Sequence, residues 1–337
     1  MPLSLTPEKT AAARAFATLF KPGQRVCLTT HVNPDGDGLG SEVGLIHLLR
    51  GQGVDAVITN PSLTPARYEF LFRDLPGVDR SGEAVKELRR ADAIAVLDIA
   101  DLGRLGSLGD VVRDRGVTVG CVDHHLSPGT LPEGPRYVDA EAAATGELIA
   151  EIAVGNGWML TPEVGRALYV ALVTDTGGFR FSNTRPRTLR AAAALLETGV
   201  DPEQVYLDLY GSVPEGRVRL TAEVLDTLVV EEGPGLAWVT VPPGAMERHG
   251  VGADDLDGLV EFPRSIKGVR LALLFREIAG GRVKVSFRSV GGVDVTALAA
   301  PFGGGGHAKA AGASLPGSLA EAQAAVLAAA REYLAAL

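Results

Sequence analysis

The stretch of sequence that decides the fold is HVNPDGDG at residues 31–38. It follows an apolar, β-branched run and opens a helical pattern that stops at Gly51. A strand that enters a tight turn and then a helix N-terminus is where open α/β sheets bind their ligands. The turn contains His31, Asp35 and Asp37. Two interpretations stay open for the turn by itself: a metal site, or a polar loop whose aspartates cap the helix.

Strands and helices alternate along the first part of the chain. The predicted strands are residues 26–30, 54–59, 93–97 and 117–122, and the predicted helices include residues 6–20, 39–50, 143–154 and 162–173. This order predicts an α/β fold with a doubly wound, mainly parallel sheet and helices on both faces.

The pattern changes in the second part of the chain. Residues 186–230 are predicted to be helical, with glycine breaks that are typical of a connector between domains. The predicted elements after it are strands 236–241, 269–275 and 282–289, a glycine cluster at 303–306 and a helix at 320–334. We therefore expect a first domain at residues 1–190, a helical linker at 191–230 and a smaller α+β domain with antiparallel strands at 231–337.

Composition limits the function classes. The 337 residues carry a net charge of −9, which disfavours a long nucleic-acid track but permits a small phosphorylated ligand. No apolar run reaches the roughly 20 residues that span a bilayer, and the first residues do not resemble a signal peptide. Cys27 and Cys121 lie in predicted strands and lack metal-ligand spacing, so we expect buried thiols. We predict a cytoplasmic protein without a membrane partner.

Polar side chains stand at the ends of several predicted apolar segments. Asp98 follows the strand at 93–97, and Asp123, His124 and His125 follow the strand at 117–122. Asp175 closes the helix that begins at Pro162. Taken singly, an aspartate at such a position fits turn capping, and a histidine fits a buried place in the core. Because the carboxyl ends of parallel strands share one sheet edge, their recurrence predicts a common site with the 31–38 turn.

These residues, in this order, resemble the four signature motifs of the DHH phosphoesterase superfamily. The resemblance covers roughly the first 190 residues. The C-terminal part is similar to the DHHA1 domain, through the residues at 287–289 and 303–307. The combination and the length resemble the nanoRNase/pAp-phosphatase subgroup of the NrnA type.

The resemblance implies a centre of two metal ions held by six side chains. One ion would take His31, Asp35 and Asp98. The other would take Asp37, His124 and Asp175, with Asp98 bridging the pair. The mixed imidazole and carboxylate set favours Mn²⁺, and Mg²⁺ is the alternative. Two such ions would activate a water for attack at phosphorus, so no Ser or Cys nucleophile is required.

The resemblance also implies catalytic and substrate-binding residues. Asp123 would orient a histidine, and His125 would face the phosphate or protonate the leaving oxygen. Exposed glycine N–H groups can approach an anion closely, and a guanidinium can grip phosphate. Without the resemblance, the glycines fit a tight turn and the arginines fit surface charges. The expected substrate-binding residues are Arg288, Ser289, Gly304, Gly305, Gly306, His307 and Arg180.

The leading functional hypothesis is hydrolysis of short 5′-phosphorylated oligonucleotides, RNA or DNA, to mononucleotides. The same site would convert 3′-phosphoadenosine 5′-phosphate (pAp) to AMP and phosphate. The alternative is a phosphodiesterase for cyclic di-AMP or linear signalling dinucleotides, which shares every motif named above. An inorganic pyrophosphatase and an inactive nucleotide-binding regulator are weaker alternatives, since the DHHA1-like part points to a nucleotide and all six ligands are present. A homodimer is compatible with the sequence.

Overall fold

The computed structural model describes residues 4–114, 116–125 and 129–337, apart from the side chains of Asp254 and His307. The chain divides into two compact units, residues 1–212 and 213–337. The division falls inside the segment that the sequence predicts as a helical linker. Each unit has its own sheet and its own hydrophobic core.

The described part of the first unit contains a five-stranded parallel sheet of order β2-β1-β3-β4-β5. Its strands are β1 (Arg25–Thr29), β2 (Asp55–Ile58), β3 (Ala93–Leu97), β4 (Thr118–Asp123) and β5 (Arg136–Val138). Its helices are α1 (Pro7–Ala17), α2 (Gly36–Arg50), α3 (Ala84–Leu88), α4 (Leu108–Asp114), α5 (Thr145–Asn156), α6 (Pro162–Asp175), α7 (Pro186–Leu196) and α8 (Pro202–Tyr206).

Helices cover both faces of this sheet, as the sequence predicts. Successive strand residues point to opposite faces, so Leu28 joins the core formed with α1, α2, α5 and α6, while Cys27 joins the core formed with α3 and α4. Cys27 and Cys121 are buried and are not joined in a disulfide, as expected. The structure adds β5, which the sequence did not predict because three residues are too short to show a period.

Helices α2 and α6 pack closely, and glycines on α2 permit it. A Cβ atom on Gly40 would lie 2.5 Å from the carbonyl oxygen of Ala167, and one on Gly44 would lie 2.5 Å from the Leu168 side chain. Core packing leaves no room for such atoms. Because α2 begins beside Asp35 and α6 ends at Asp175, this contact fixes the start of α2 and the end of α6 relative to each other.

The described part of the second unit contains a six-stranded sheet of order β10-β11-β9-β8-β7-β6. Its strands are β6 (Val229–Glu231), β7 (Leu236–Thr240), β8 (Leu271–Ile278), β9 (Arg282–Ser289), β10 (Gly305–His307) and β11 (Ala310–Pro316). Its helices are α9 (Glu215–Leu225), α10 (Ala245–His249), α11 (Glu261–Arg264), α12 (Val295–Ala299) and α13 (Leu319–Ala335).

This second sheet corrects two details of the sequence prediction. It is mixed, because β7 and β8 are parallel while the other neighbours are antiparallel. The second half of the glycine cluster belongs to β10, which forms a hairpin with β11; the Ala- and Gly-rich sequence conceals this hairpin since it lacks β-branched residues. Among the described residues, none of the helices combines the length and apolarity that crossing a membrane requires.

Candidate metal centre

The site lies where three adjacent parallel strands end. His31 stands two residues after β1, Asp98 follows β3 directly, and β4 ends in Asp123 with His124 next. The strands β1, β3 and β4 are neighbours in the sheet, so these side chains meet at one edge. The sequence prediction of a shared edge is therefore confirmed for these three strands.

Six predicted ligands form two groups at this edge. The ligand atoms of His31, Asp35 and Asp98 lie within 4.8 Å of one another, and so do those of Asp37, His124 and Asp175. Asp98 lies between the groups: its Oδ2 atom is 3.6 Å from Nε2 of His31, and its Oδ1 atom is 3.4 Å from Nε2 of His124. These separations are too long for strong hydrogen bonds, and they suit ligand atoms that share an ion.

The 31–38 loop satisfies both interpretations of its sequence. Asp35 is the N-cap of α2, because its Oδ1 atom accepts hydrogen bonds from the N–H groups of Asp37 (3.0 Å) and Gly38 (3.1 Å). Its other oxygen lies 3.6 Å from Nε2 of His31. One carboxylate therefore ends the helix and faces the site at the same time.

The ring of His31 directs its Nε2 atom toward Asp35 and Asp98. Its Nδ1 atom lies 2.9 Å from the carbonyl oxygen of Val32, which places the ring proton on Nδ1. Its Nε2 atom is buried and has no hydrogen-bond partner among the described residues. A buried ring nitrogen without a hydrogen-bond partner is costly, and a cation between His31, Asp35 and Asp98 would satisfy it. This observation supports a metal at the first group.

The N-terminus of α5 holds Asp37. The N–H of Thr145 donates to its Oδ2 atom at 2.7 Å and the N–H of Gly146 donates to its Oδ1 atom at 2.9 Å, with the hydroxyl of Ser41 at 3.2 Å from the same Oδ1. The hydroxyl of Thr145 lies 3.3 Å from Asp98. First-turn N–H groups stabilise an anion in this way. Residues 143–146 carried no sequence signal for this role.

The carboxylates dominate the electrostatics of the centre. Burial opposes a charged ring at His31, but Asp35 and Asp98 outweigh it and raise the pKa of His31 to about 10. The pKa of His124 shifts in the same direction. Burial opposes a charged ring there, but Asp98 and Asp37 raise its pKa to about 10.

The pKa values of the carboxylates in the centre shift in opposite directions. Burial, with Asp98 nearby, raises the pKa of Asp37 well above its ordinary value, and burial raises that of Asp175 to about 6. Burial alone would raise the pKa of Asp98, but His124 and His31 hold it well below the ordinary range. Protons thus compensate the excess negative charge, and divalent cations would take their place.

Backbone strain is concentrated here. Asp98 has φ +56° and Asn33 has φ +57°, a left-handed region that non-glycine residues rarely occupy. Such conformations persist where the surrounding structure enforces them, often at functional sites. The Asp35 and Asp175 side chains are 49% and 31% exposed, whereas Asp98 is 3% exposed, so the centre opens to solvent on one side.

The predicted catalytic pair lies beside the ligands. Nδ1 of His125 is 2.8 Å from Oδ1 of Asp123, which is buried, so Asp123 orients this ring. His125 also lies 3.5 Å from Asp98. Nη1 of Arg104 is 3.4 Å from Nε2 of His125. Arg104 carries no sequence signal for this position, because nothing in its local pattern separates it from other surface cations.

Among the predicted substrate residues, Arg180 lies in the first unit and the others lie in the second. Arg180 is exposed and its Nε donates to the carbonyl of Gly177 at 2.6 Å. In the second unit, Arg288 on β9 is 32% exposed and lies 3.4 Å from Glu261. Ser289 is buried and its hydroxyl donates to the carbonyl of Val293 at 2.8 Å, so direct binding would require that bond to be exchanged.

The predicted glycine pocket belongs to β10 and the turn before it. Gly304 and Gly306 are required by close backbone packing, since a Cβ atom on either would lie 2.4 Å from a carbonyl oxygen of β11. Gly305 has open space at the same position. The backbone of His307 pairs with Ala310, and its side chain lies outside the described part of the structure.

Both units of the chain resemble known protein families. Family models match residues 25–172 ("DHH family, N-terminal domain") and residues 236–336 ("DHHA1 domain"). The chain is 34% identical over 312 residues to the bifunctional oligoribonuclease and PAP phosphatase NrnA of Thermus thermophilus, covering 92% of this chain and 90% of the relative.

The fold of this chain is also found in solved structures. An exopolyphosphatase-related protein from Bacteroides fragilis has a TM-score of 0.90 and 28% identity, covering 96% of this chain and 97% of that one. RecJ from Thermus thermophilus in complex with Mn²⁺ has a TM-score of 0.54 at 16% identity, covering all of this chain and 56% of that one. The second likeness concerns the fold alone.

Proposed function

We propose, because this chain belongs to the DHH phosphoesterase family and carries a DHHA1 domain, that it hydrolyses short 5′-phosphorylated oligonucleotides to mononucleotides and pAp to AMP and phosphate. The observation that carries the proposal is the meeting of two ligand groups at Asp98. The Thermus thermophilus relative is named for both activities.

The side chains present fit two divalent cations. His31, Asp35 and Asp98 would hold one ion, and Asp37, His124 and Asp175 would hold the other. When bound, two such ions supply an activated water at neutral pH and neutralise charge on the phosphoryl oxygens. The imidazole and carboxylate donors suit Mn²⁺ better than Mg²⁺, which prefers oxygen ligands.

The residues beside the ligands direct proton transfer. Asp123 binds Nδ1 of His125 at 2.8 Å and leaves Nε2 as the atom that exchanges a proton with the leaving oxygen. The ring cannot turn without losing the bond to Asp123. His125 therefore acts as the proton donor, and Asp123 acts by positioning it.

Substrate selection is assigned to the second unit. Arg288 presents a part-exposed guanidinium near the end of β9, and a Cβ atom added to Gly305 would meet nothing within 4 Å. A guanidinium binds a phosphate or stacks on a base, and glycine N–H groups reach an anion closely. We assign the nucleotide part of the substrate to these groups, together with Ser289, Gly304, Gly306 and His307 of the same unit, and we add Arg180 of the first unit as a further substrate-binding residue.

Hydrolysis by the purified protein tests the proposal. The assay uses Mn²⁺ with and without chelator on pAp, a 5′-phosphorylated dinucleotide, a longer oligomer, cyclic di-AMP and pyrophosphate. We expect metal-dependent turnover of the first two, with little turnover of the longer oligomer. A preference for cyclic di-AMP would assign the protein to the signalling phosphodiesterases, and a preference for pyrophosphate would refute the nucleotide assignment. A homodimer and a cytoplasmic location stay predictions.

A further inference from the structure

Arg104 is a cation placed against the candidate proton donor. It lies on the 3₁₀ helix Leu102–Leu105, which follows β3 and the ligand Asp98. Its Nη1 atom is 3.4 Å from Nε2 of His125, whose other ring nitrogen contacts Asp123. No role has been assigned to Arg104 by the motifs discussed above. Its position raises the question of what the guanidinium binds.

The backbone around Arg104 is fixed to the ligand loops. The carbonyl of Arg104 accepts a hydrogen bond of 2.9 Å from the N–H of Val32, the neighbour of His31. The Asp101 side chain caps the same short helix, accepting from the N–H of Gly103 at 2.7 Å. Between Asp98 and this helix, Ala100 has φ +56°. The chain thus makes a sharp, strained turn that brings Arg104 back over the site.

The guanidinium of Arg104 has no carboxylate partner among the residues that the structure describes, although five aspartates surround the centre. Other arginines of this unit do pair: Arg187 lies 2.6 Å from Asp139 and 2.9 Å from Glu151. A guanidinium carries five N–H donors, and among the described residues that of Arg104 has one side-chain contact, the long one to His125. It therefore keeps donors for another acceptor.

The charge balance of the centre indicates what that acceptor is. Four ligand aspartates would balance two divalent ions, so a bound phosphate would bring uncompensated negative charge. A planar guanidinium donates to two phosphoryl oxygens in parallel. Resting on the proposed function, we infer that Arg104 binds a non-bridging oxygen of the phosphoryl group that is cleaved, next to the His125 proton donor.

The alternative role for Arg104 is to hold the ring of His125, and a double-variant experiment separates the two. Binding of inorganic phosphate to the Mn²⁺-loaded protein is measured by calorimetry for Arg104→Gln, His125→Ala and the double variant. We expect Arg104→Gln to weaken phosphate binding about tenfold or more both alone and in the His125→Ala background. Arg104→Lys retains the charge and restores part of the affinity.

The control is Arg113→Gln, an exposed arginine of α4 that pairs with Asp110. We expect it to leave phosphate affinity and metal content unchanged. The inference is overturned if Arg104→Gln binds phosphate as the unaltered protein does, or if its effect vanishes in the His125→Ala background. Because the readout is phosphate binding, a failure of the unaltered protein to hydrolyse nucleotides would refute the proposed function and leave this result interpretable.

Discussion

The Oδ1 atom of Asp98 lies 3.4 Å from the Nε2 atom of His124. The second oxygen of the same carboxylate lies 3.6 Å from His31 in the other ligand group. Asp98 is buried at the end of β3 in a left-handed conformation, so it cannot move aside easily. This one side chain connects the two halves of the centre.

Asp98→Asn keeps the shape of that side chain and removes its charge. We expect hydrolysis of pAp to fall by at least about 100-fold, because both ions lose a shared ligand. Steady-state rates with saturating Mn²⁺ measure the effect. Asp114→Asn, an exposed change at the end of α4, is the control and should leave the rate unchanged. Near-normal turnover of Asp98→Asn would refute the bridge.

Asp35 and Asp175 are assigned to different ions, so a variant of either residue should lose one bound ion. Asparagine is as good an N-cap as aspartate, hence Asp35→Asn preserves the start of α2 while removing a charged ligand. We expect Asp35→Asn and Asp175→Asn each to retain about one Mn²⁺ per chain under conditions that load two in the unaltered protein. Metal analysis after gel filtration measures the number of Mn²⁺ ions bound per chain. Two ions retained in either variant would contradict the assignment.

Gly40→Ala tests the close packing of α2 on α6. The added methyl would meet the Ala167 carbonyl, so we expect the free energy of unfolding to fall by about 1–3 kcal/mol. Because this contact also sets the positions of Asp37 and Asp175, Mn²⁺ affinity should fall too. Gly82→Ala, at a position with nothing within 4 Å of the new atom, should change stability by less than about 0.5 kcal/mol. Equal urea midpoints for the two variants would contradict this packing account.

Asp139 contributes pH-dependent stability to the first unit. Burial disfavours its charge, but Lys9 at 2.7 Å and Arg187 at 2.6 Å lower its pKa below the ordinary value of 3.8. For a carboxyl with a depressed pKa, the stabilisation is complete above the unfolded value and is lost as pH falls through the folded one. Asp139→Asn should therefore cost about 1–3 kcal/mol at pH 7 and progressively less below about pH 4.

Urea unfolding at several pH values measures this difference. The exposed Asp110→Asn, whose partner Arg113 also lies on the surface of α4, is the matched control with a small effect at every pH. A cost for Asp139→Asn that stays constant down to pH 3 would show that the charge is not what stabilises this site.

Arg288→Ala tests the substrate assignment. We expect KM for pAp and for the dinucleotide to rise about tenfold or more, with a smaller change for a generic phosphodiester that lacks a nucleoside. Arg282→Ala, at the other end of β9, provides a control on the same strand. Parallel increases in KM for all three substrates would remove Arg288 from nucleotide recognition.

Much of the site could be predicted because parallel strands carry their following residues to one edge. The positions of His31, Asp98 and His124 follow from that rule together with the strand predictions. The sequence indicated two roles for Asp35, helix N-cap and candidate metal ligand. No local pattern shows that one carboxylate can perform both at once.

The remaining features depend on contacts between distant segments. Thr145 and Gly146 hold Asp37 across 108 and 109 residues of chain, through main-chain N–H groups that any residue could supply. Arg104 reaches His125 only because of the strained turn after β3. The strand β11 is Ala- and Gly-rich, so its pairing with β9 decides its conformation more than its composition does.

The most direct test of the two-metal account is a titration of chelator-treated protein with Mn²⁺, following AMP release from pAp and the metal bound per chain. We expect no hydrolysis without metal and full activity only when two ions are bound at the cluster around Asp98. Full activity without metal, saturation at one ion, or no AMP release with two ions bound would each contradict it.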